Sequence, residues 1–301
     1  MKELVVISGK GGTGKTSLTA AFAVLAEHPV VADCDVDAAD LHLVLEPRVR
    51  EKHEFRSGNE AIIRTDACTG CGLCAELCRF DAVKADEGPG GSREYSIDPV
   101  SCEGCGVCVR FCPAGAIDFP EALCGNWMVS DTRCGPMVHA RLGVAAENSG
   151  KLVTTVRKEA RRIADEGGHG LILVDGPPGI GCPVIASVTG ASCLLAVTEP
   201  TVSGEHDLER VLALARHFDL PAAVCVNKWD LNEEMTERIE SRAMESGALP
   251  AGRIRYDGAF TRAQIGARTA VEISCGAADD IMDVWQRTGE IMGYPEEREE
   301  R

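Results

Sequence analysis

The chain has 301 residues, which leaves room for roughly two domains at about 150 residues each. Its 31 Lys and Arg against 47 Asp and Glu give a formal charge of −16, which excludes the basic footprint of a nucleic-acid binder. No run of 18 apolar residues occurs, so no membrane span is expected; no basic–apolar leader precedes the first strand, which predicts a cytoplasmic protein.

In chain order, Glu-Leu-Val-Val-Ile-Ser at 3–8 is a short β-branched run without helical period and reads as a buried parallel strand. A glycine-rich turn, an alanine-rich helix over about 15–27 and a strand at 30–32 complete a βαβ opening. From 59 to about 121 long apolar runs are few, and Glu-Gly-Pro-Gly-Gly-Ser at 87–92 is loop-like. The α/β rhythm resumes near Trp127. Helices are predicted at 152–166, 184–189, 204–218 and 233–246, alternating with strands at 171–175, 193–198 and 222–226. Such alternation implies a mostly parallel sheet covered on both faces. The expected organisation is 1–58 and 122–292 as one α/β domain, split by an insertion at 59–121 and followed by an acidic tail at 293–301.

The turn after the first strand reads Gly9-Lys10-Gly11-Gly12-Thr13-Gly14-Lys15-Thr16-Ser17 and fits G-x-x-x-x-G-K-[ST] between strand and helix. Its backbone N–H groups and the helix N-terminus can hold phosphate oxygens. Lys15 is the expected partner of the β- and γ-phosphates, and Thr16 of Mg²⁺.

Fifteen cysteines are many for a reducing compartment, where metal or redox chemistry is a better reading than disulfides. Eight lie between Cys68 and Cys112 as two C-x2-C-x2-C-x3-C runs offset by 34 residues. This is the spacing of two-cluster bacterial ferredoxins, in which the fourth cysteine of a run serves the other cluster. Three closely spaced thiolates wrap one corner of a cubane while the following turn carries the fourth away. The expected ligand sets of the two [4Fe–4S] clusters are therefore Cys68, Cys71, Cys74 and Cys112, and Cys102, Cys105, Cys108 and Cys78. Arg79 stands where the second run has Pro113. Zinc prefers two C-x2-C hooks separated by a longer loop and fits the packed runs poorly.

The second lysine in KGGTGKT makes the turn resemble the deviant Walker A of the MinD/ParA/Mrp/nitrogenase iron protein class. The resemblance implies that Lys10 reaches the partner's phosphates in an ATP-bound dimer, either a homodimer or a heterodimer with a related ATPase. Ala-Asp-Cys-Asp at 32–35 is similar to the first switch. There Asp35 is the expected positioner of the attacking water, with Asp37 and Asp40 as rivals and Asp33 capping the strand. Asp175-Gly-Pro-Pro-Gly is similar to the second switch and implies that Asp175 holds Mg²⁺ through a water. Asn227 resembles the adenine-reading Asn of the class, and Arg255 replaces the proline of its Ile-Pro-x-Asp segment.

Cys182 resembles a cluster cysteine of the nitrogenase iron protein, but reads more simply as a small residue in a tight turn. Cys124 and Cys134 read as small buried residues or free thiols, with pairing or metal binding as the alternative. Cys34, Cys193, Cys225 and Cys275 read as core.

The sequence thus predicts an α/β P-loop NTPase with an inserted α+β ferredoxin-like domain. ATP, Mg²⁺ and two [4Fe–4S] clusters are the expected cofactors. The implied function is ATP hydrolysis coupled to the clusters, serving electron delivery to, or assembly of, a metal cofactor on a partner protein. The alternatives are a MinD-like spatial organiser and a redox-sensing ATPase. The organiser needs a basic amphipathic terminal helix; the stripe Ile281, Val284, Trp285 and Met292 is present, but 277–301 carry eight acids against three bases.

Overall fold

A computed structural model describes residues 1–88, 93–143 and 149–294. In chain order the elements begin with β1 (Lys2–Ile7), α1 (Lys15–Leu25), β2 (Val30–Asp33), α2 (Leu41–Leu45) and β3 (Arg48–Asn59). Next come β4 (Ile62–Ile63), α3 (Leu73–Leu77), β5 (Val83–Glu87), β6 (Arg93–Ile97), α4 (Val107–Phe111), β7 (Ile117–Asp118), β8 (Glu121–Thr132) and β9 (Gly135–Leu142). The remainder is α5 (Ser149–Gly167), β10 (Leu171–Asp175), α6 (Cys182–Val188), β11 (Cys193–Thr198), α7 (Val202–His217), β12 (Ala222–Asn227), α8 (Glu233–Glu245), β13 (Leu249–Ile254), α9 (Ala259–Ile265) and α10 (Gly276–Met292).

Two compact units result. The first comprises the described residues of 1–53, 127–141 and 149–294; the second comprises those of 54–126 with 142 and 143. Strands β3 and β8 run from one unit into the other. The expected tail at 293–301 lies outside the described residues from 295 onward, as does 89–92 of the expected loop.

Among the described residues nine strands form one sheet in the order β13-β12-β11-β1-β10-β2-β9-β8-β3. Every neighbouring pair from β13 to β9 is parallel. The fold is α/β, as the alternation of apolar runs requires. Strands β1, β2, β10 and β11 are buried along almost their whole length, which is why they read as continuous hydrophobic runs. Leu18 and Phe22 of α1 and Ile281, Val284 and Trp285 of α10 belong to one core, with the Phe22 and Trp285 rings 4.9 Å apart. The apolar stripe of α10 is thus buried in the unit.

Strands β3, β8 and β9 were not legible in the sequence. β3 carries Arg48-Val-Arg-Glu-Lys-His-Glu at the sheet edge with mostly exposed side chains, so no apolar run marks it. Charged residues on an edge strand also discourage pairing with other chains.

At the start of β1 the buried Glu3 carboxylate is held by Arg157 (Nη2, 2.6 Å) and Arg161 (Nη2, 2.6 Å) of α5. Arg157 Nη1 also donates to the carbonyls of Ala186 (2.7 Å) and Thr189 (2.9 Å). Removing Arg157 leaves the buried Glu3 carboxylate with the half-exposed Arg161 as its counter-charge and takes a donor from both carbonyls. Arg157→Ala is therefore expected to cost about 3–5 kcal/mol in urea unfolding. Arg162→Ala, which breaks pairs with Glu159 and Glu166 made by a fully exposed guanidinium, is expected to leave the urea midpoint nearly unchanged.

The second unit repeats itself in structure as in sequence. Helices α3 and α4 are each entered through a left-handed glycine, Gly72 (φ 79°) and Gly106 (φ 71°), positions 34 residues apart. An L side chain resists this conformation. Two antiparallel pairs flank the helices: β4 with β7, and β5 with β6.

Candidate functional site

The register of the sheet positions the first site. Val6 lies opposite Asp175, and Asp175 opposite Asp33, so the carboxyl ends of β1, β10 and β2 line up beside the glycine-rich turn. Ligands of open α/β sheets bind at this edge. Lys15, the first residue of α1, is buried, and its Nζ donates to Asp175 Oδ1 (3.1 Å) and Asp35 Oδ2 (3.2 Å). Thr16 Oγ1 donates to Asp175 Oδ2 (2.8 Å), and Thr19 Oγ1 to Asp175 Oδ1 (3.0 Å). Lys15, Thr16, Asp35 and Asp175 thus converge. Asp37 and Asp40 are exposed and outside this cluster.

Asp33 is fully buried. Its Oδ1 accepts from the Asp35 N–H (3.2 Å), and its Oδ2 has no partner. It is more than a strand cap. Burial, reinforced by the Asp175 charge, pushes its carboxyl well above the usual range. Burial also raises Asp35, against the pull of Lys15. Burial works to lower Lys15, but Asp175, Asp35 and Asp33 outweigh it and hold the ammonium above its ordinary value.

The raised Asp33 value carries a stability consequence. Between the unfolded carboxylate value near 3.8 and the higher folded one, the native state binds more protons than the unfolded state, so stability falls as pH rises. Asp33→Asn removes this titration. Its melting temperature is expected to exceed the wild type's at neutral pH, with the gain shrinking toward acid. Scanning calorimetry across pH checks it.

The turn itself is clamped by neighbouring strands. A Cβ on Gly9 would sit 2.2 Å from Asp207 Cβ of α7, so only glycine fits against that helix. Asn227 Nδ2, at the end of β12, donates to the Thr13 carbonyl (2.7 Å). Lys10 Nζ reaches Ser203 Oγ (3.2 Å), Thr201 Oγ1 (3.4 Å) and Glu199 Oε2 (3.4 Å). Glu199 also pairs with Lys228, whose Nζ lies 3.5 Å from the Gly12 carbonyl. Ser17 Oγ accepts from Gln264 Nε2 of α9 (2.9 Å). Arg255 supplies a backbone N–H that proline lacks: Asp280 of α10 accepts it at 2.9 Å and takes the guanidinium at 2.7 Å.

Sequence reasoning missed Thr19, Glu199, Lys228 and Gln264. Thr19 is one helical turn after Lys15, a spacing that could have flagged it. The others come from distant elements and carry no local signal.

In the second unit the eight clustered cysteines divide between two cavities. Cys68, Cys71, Cys74 and Cys112 line one together with Ile63, Leu73, Tyr95 and Ile117. Cys78, Cys102, Cys105 and Cys108 line another together with Phe80, Val83 and Ile97. Each cavity draws its fourth cysteine from the other run. The Ala116 N–H donates to Cys112 Sγ (3.3 Å). For Cys78, burial acts to raise the thiol, but the N–H groups of Phe80, Ala82 and Val83 prevail and lower it. Among the described residues no three His, Cys, Asp or Glu side chains converge as a single metal ion requires. Four thiols around an apolar void fit a cubane instead.

The remaining cysteines are free thiols. Cys34, Cys193 and Cys225 are fully buried, as are the sulfur environments of Cys124 and Cys134 for the most part; Cys275, read as core, is half-buried just before α10. Cys182 is exposed at the first position of α6.

Residues 67–116 match the 4Fe-4S dicluster domain family. The whole chain is similar in fold to MinD of the MinC:MinD cell division protein complex of Aquifex aeolicus, at 20% identity and TM-score 0.58 over 99% of each chain. It is equally similar to the septum site-determining protein MinD complexed with Mg-ADP from Pyrococcus horikoshii, at 15% identity and TM-score 0.58 over 99% of each chain. The fold is therefore that of the MinD/ParA P-loop ATPases, and it carries a 4Fe–4S dicluster domain within it. Uncharacterized protein MJ0578 of Methanocaldococcus jannaschii is 32% identical over 235 residues, 76% of this chain and 79% of that protein, and the chain belongs to its family. No helix among the described residues is long and apolar enough to cross a membrane.

Proposed function

We propose that this chain binds and hydrolyses ATP and couples nucleotide-dependent dimerisation to two [4Fe–4S] clusters, for electron delivery to, or assembly of, a metal cofactor on a partner protein. The observation that carries the reading is the convergence of Lys15, Thr16, Asp35 and Asp175 in a chain whose two cysteine quartets each surround a cavity.

In this reading the P-loop amides of Gly11 to Lys15 hold the phosphates. Lys15 exchanges Asp175 and Asp35 for the β- and γ-phosphate oxygens. Thr16 and Asp175 are the residues that would hold Mg²⁺, and their 2.8 Å contact places both donors together. Asp35, released from Lys15, orients the water for in-line attack. Lys10 leaves Glu199 and crosses to the partner's nucleotide. Asn227 anchors the turn and reads the base. Cys68, Cys71, Cys74 and Cys112, and Cys102, Cys105, Cys108 and Cys78, would hold the clusters, which supply one-electron storage when bound. The insertion leaves the chain after Asp35 and Asp40 and rejoins before Asp175, so movement of either switch bears on its two connections. The MinD-like organiser reading cannot use the α10 stripe as its membrane anchor, since that stripe is packed in the core.

Anaerobic EPR of the reduced protein with and without Mg–ATP tests the scheme. Two cluster signals whose line shape changes on nucleotide binding are expected. Spectra indifferent to Mg–ATP would remove the coupling, and zinc in place of iron would remove the clusters.

A further inference from the structure

The two halves of the second unit are near-copies, so their differences stand out. Both cavities are similar in size, and in both the second cysteine of the run, Cys71 or Cys105, is exposed while the other three are half-buried. The backbone N–H that serves Cys112 comes from Ala116, and its repeat mate Ala82 serves Cys78. The exposure pattern of the cysteines is thus the same in both halves.

The surfaces around them are not. Val107 (38% exposed) and Phe111 (54%) stand one turn apart on α4. Their mates on α3, Leu73 and Leu77, are both half-buried. Val100, two residues before Cys102, is 68% exposed, where its mate is Asp66. Phe80, 44% exposed, lines the Cys102 cavity, where its mate is Ala114. Glu103 lines the same cavity, while its mate Thr69 lines the other. The surroundings of one cavity therefore expose four large apolar side chains and place a carboxylate at its lining, whereas the other half exposes Ile62 (45%) and has Thr69 in place of the carboxylate. Across 54–126 the unit carries six Lys and Arg against twelve Asp and Glu.

Resting on the electron-delivery reading, we propose that the face formed by α4, Val100, Phe80 and Glu103 is the port through which electrons leave. It docks a redox protein that presents an apolar patch ringed by Lys and Arg. The exposed apolar side chains supply the desolvated centre that a short-lived redox complex needs. The acidic surroundings steer a basic partner and set the approach. Phe80 and Glu103 of this face line the cavity of Cys78, Cys102, Cys105 and Cys108, so the centre those cysteines would hold is the one that serves the port. The step is a single electron transfer: the reduced centre loses one electron, the acceptor gains one, and no proton or bond moves.

The test uses the full chain with both clusters, reduced by dithionite, freed of excess reductant and mixed anaerobically with ferric cytochrome c as a basic acceptor. Its haem takes the one electron and becomes ferrous. The second-order rate is expected to fall steeply with salt. Glu103→Lys should lower it about tenfold and flatten the salt dependence. Asp66→Lys makes the same charge change beside the other half and should alter it less than about twofold. Val100→Lys and Thr69→Lys form a second matched pair with the same expected contrast, Glu103→Gln gives a milder loss, and Phe111→Ser slows transfer without altering the salt slope. EPR spin counts check that every variant retains both clusters. Equal or larger losses at Asp66 and Thr69 would overturn the port assignment while leaving electron delivery intact. A fully reduced wild type that does not reduce cytochrome c would overturn the delivery reading and the port with it.

Discussion

Lys15→Ala is expected to abolish ATP-induced dimers on a sizing column with light scattering, and to lower phosphate release by on the order of 10²–10³-fold. The side chain is the buried cation at the carboxyl end of the central strands, in contact with Asp175 and Asp35. Without it nothing in the turn neutralises the β- and γ-phosphates. The same substitution leaves Asp33, Asp35 and Asp175 facing one another with no counter-charge, at a cost of about 3–5 kcal/mol. Because the folded Lys15 value lies above 10.5, its stabilisation is fully present below that pH and is lost only as pH rises through the folded value. The deficit of the variant should therefore persist at neutral pH. It should narrow in acid, where Asp33 and Asp35, already raised by burial, take up protons. Asp35→Asn separates the roles. It keeps the cation, so dimers should still form with ATP, but phosphate release should nearly stop. Dimers of Lys15→Ala equal to wild type would contradict the nucleotide clamp.

Cys112→Ala should halve the bound iron and remove the cluster of the first cysteine run, although Cys112 belongs to the second. The expectation rests on the cavities: Cys112 lines one with Cys68, Cys71 and Cys74, and Cys78 the other with Cys102, Cys105 and Cys108. Double substitutions make the prediction independent of any single loss. Cys112→Ala with Cys71→Ala should lose no more iron than either alone, since both serve one cluster. Cys112→Ala with Cys105→Ala should lose nearly all of it. This non-additivity is the signature of shared ligation. Iron analysis with EPR reads it directly, and the reverse pattern would assign each run to its own cluster.

Where a candidate site is built from residues close in sequence, its pattern is legible in the sequence. Glycine spacing and the lysines in Gly9–Ser17 mark the phosphate turn because neighbouring backbone amides must converge on one ligand. The two cysteine runs are legible because the first three thiolates of each lie within one loop. The buried strands β1, β10 and β11 are legible because burial on both faces leaves a continuous apolar run. The charged edge strand β3 is not, because most of its side chains face water and nothing selects for a pattern. Arg255 shows the limit of motif reading. As a departure from Ile-Pro-x-Asp it looks like a loss, but the backbone N–H and guanidinium it brings both meet Asp280.

The sequence by itself determined the α/β fold class, the glycine-rich turn between strand and helix, and the cysteine inventory, since local spacing and apolar periodicity encode all three. Tertiary structure alone decided that Asp33 is buried with an unpartnered oxygen, that Glu199 joins Lys10 to Lys228, and that Val107 and Phe111 of α4 are exposed while Leu73 and Leu77 of α3 are half-buried. Each of these depends on residues brought together from distant parts of the chain, where strand order and packing set the environment of a side chain and no local pattern records it.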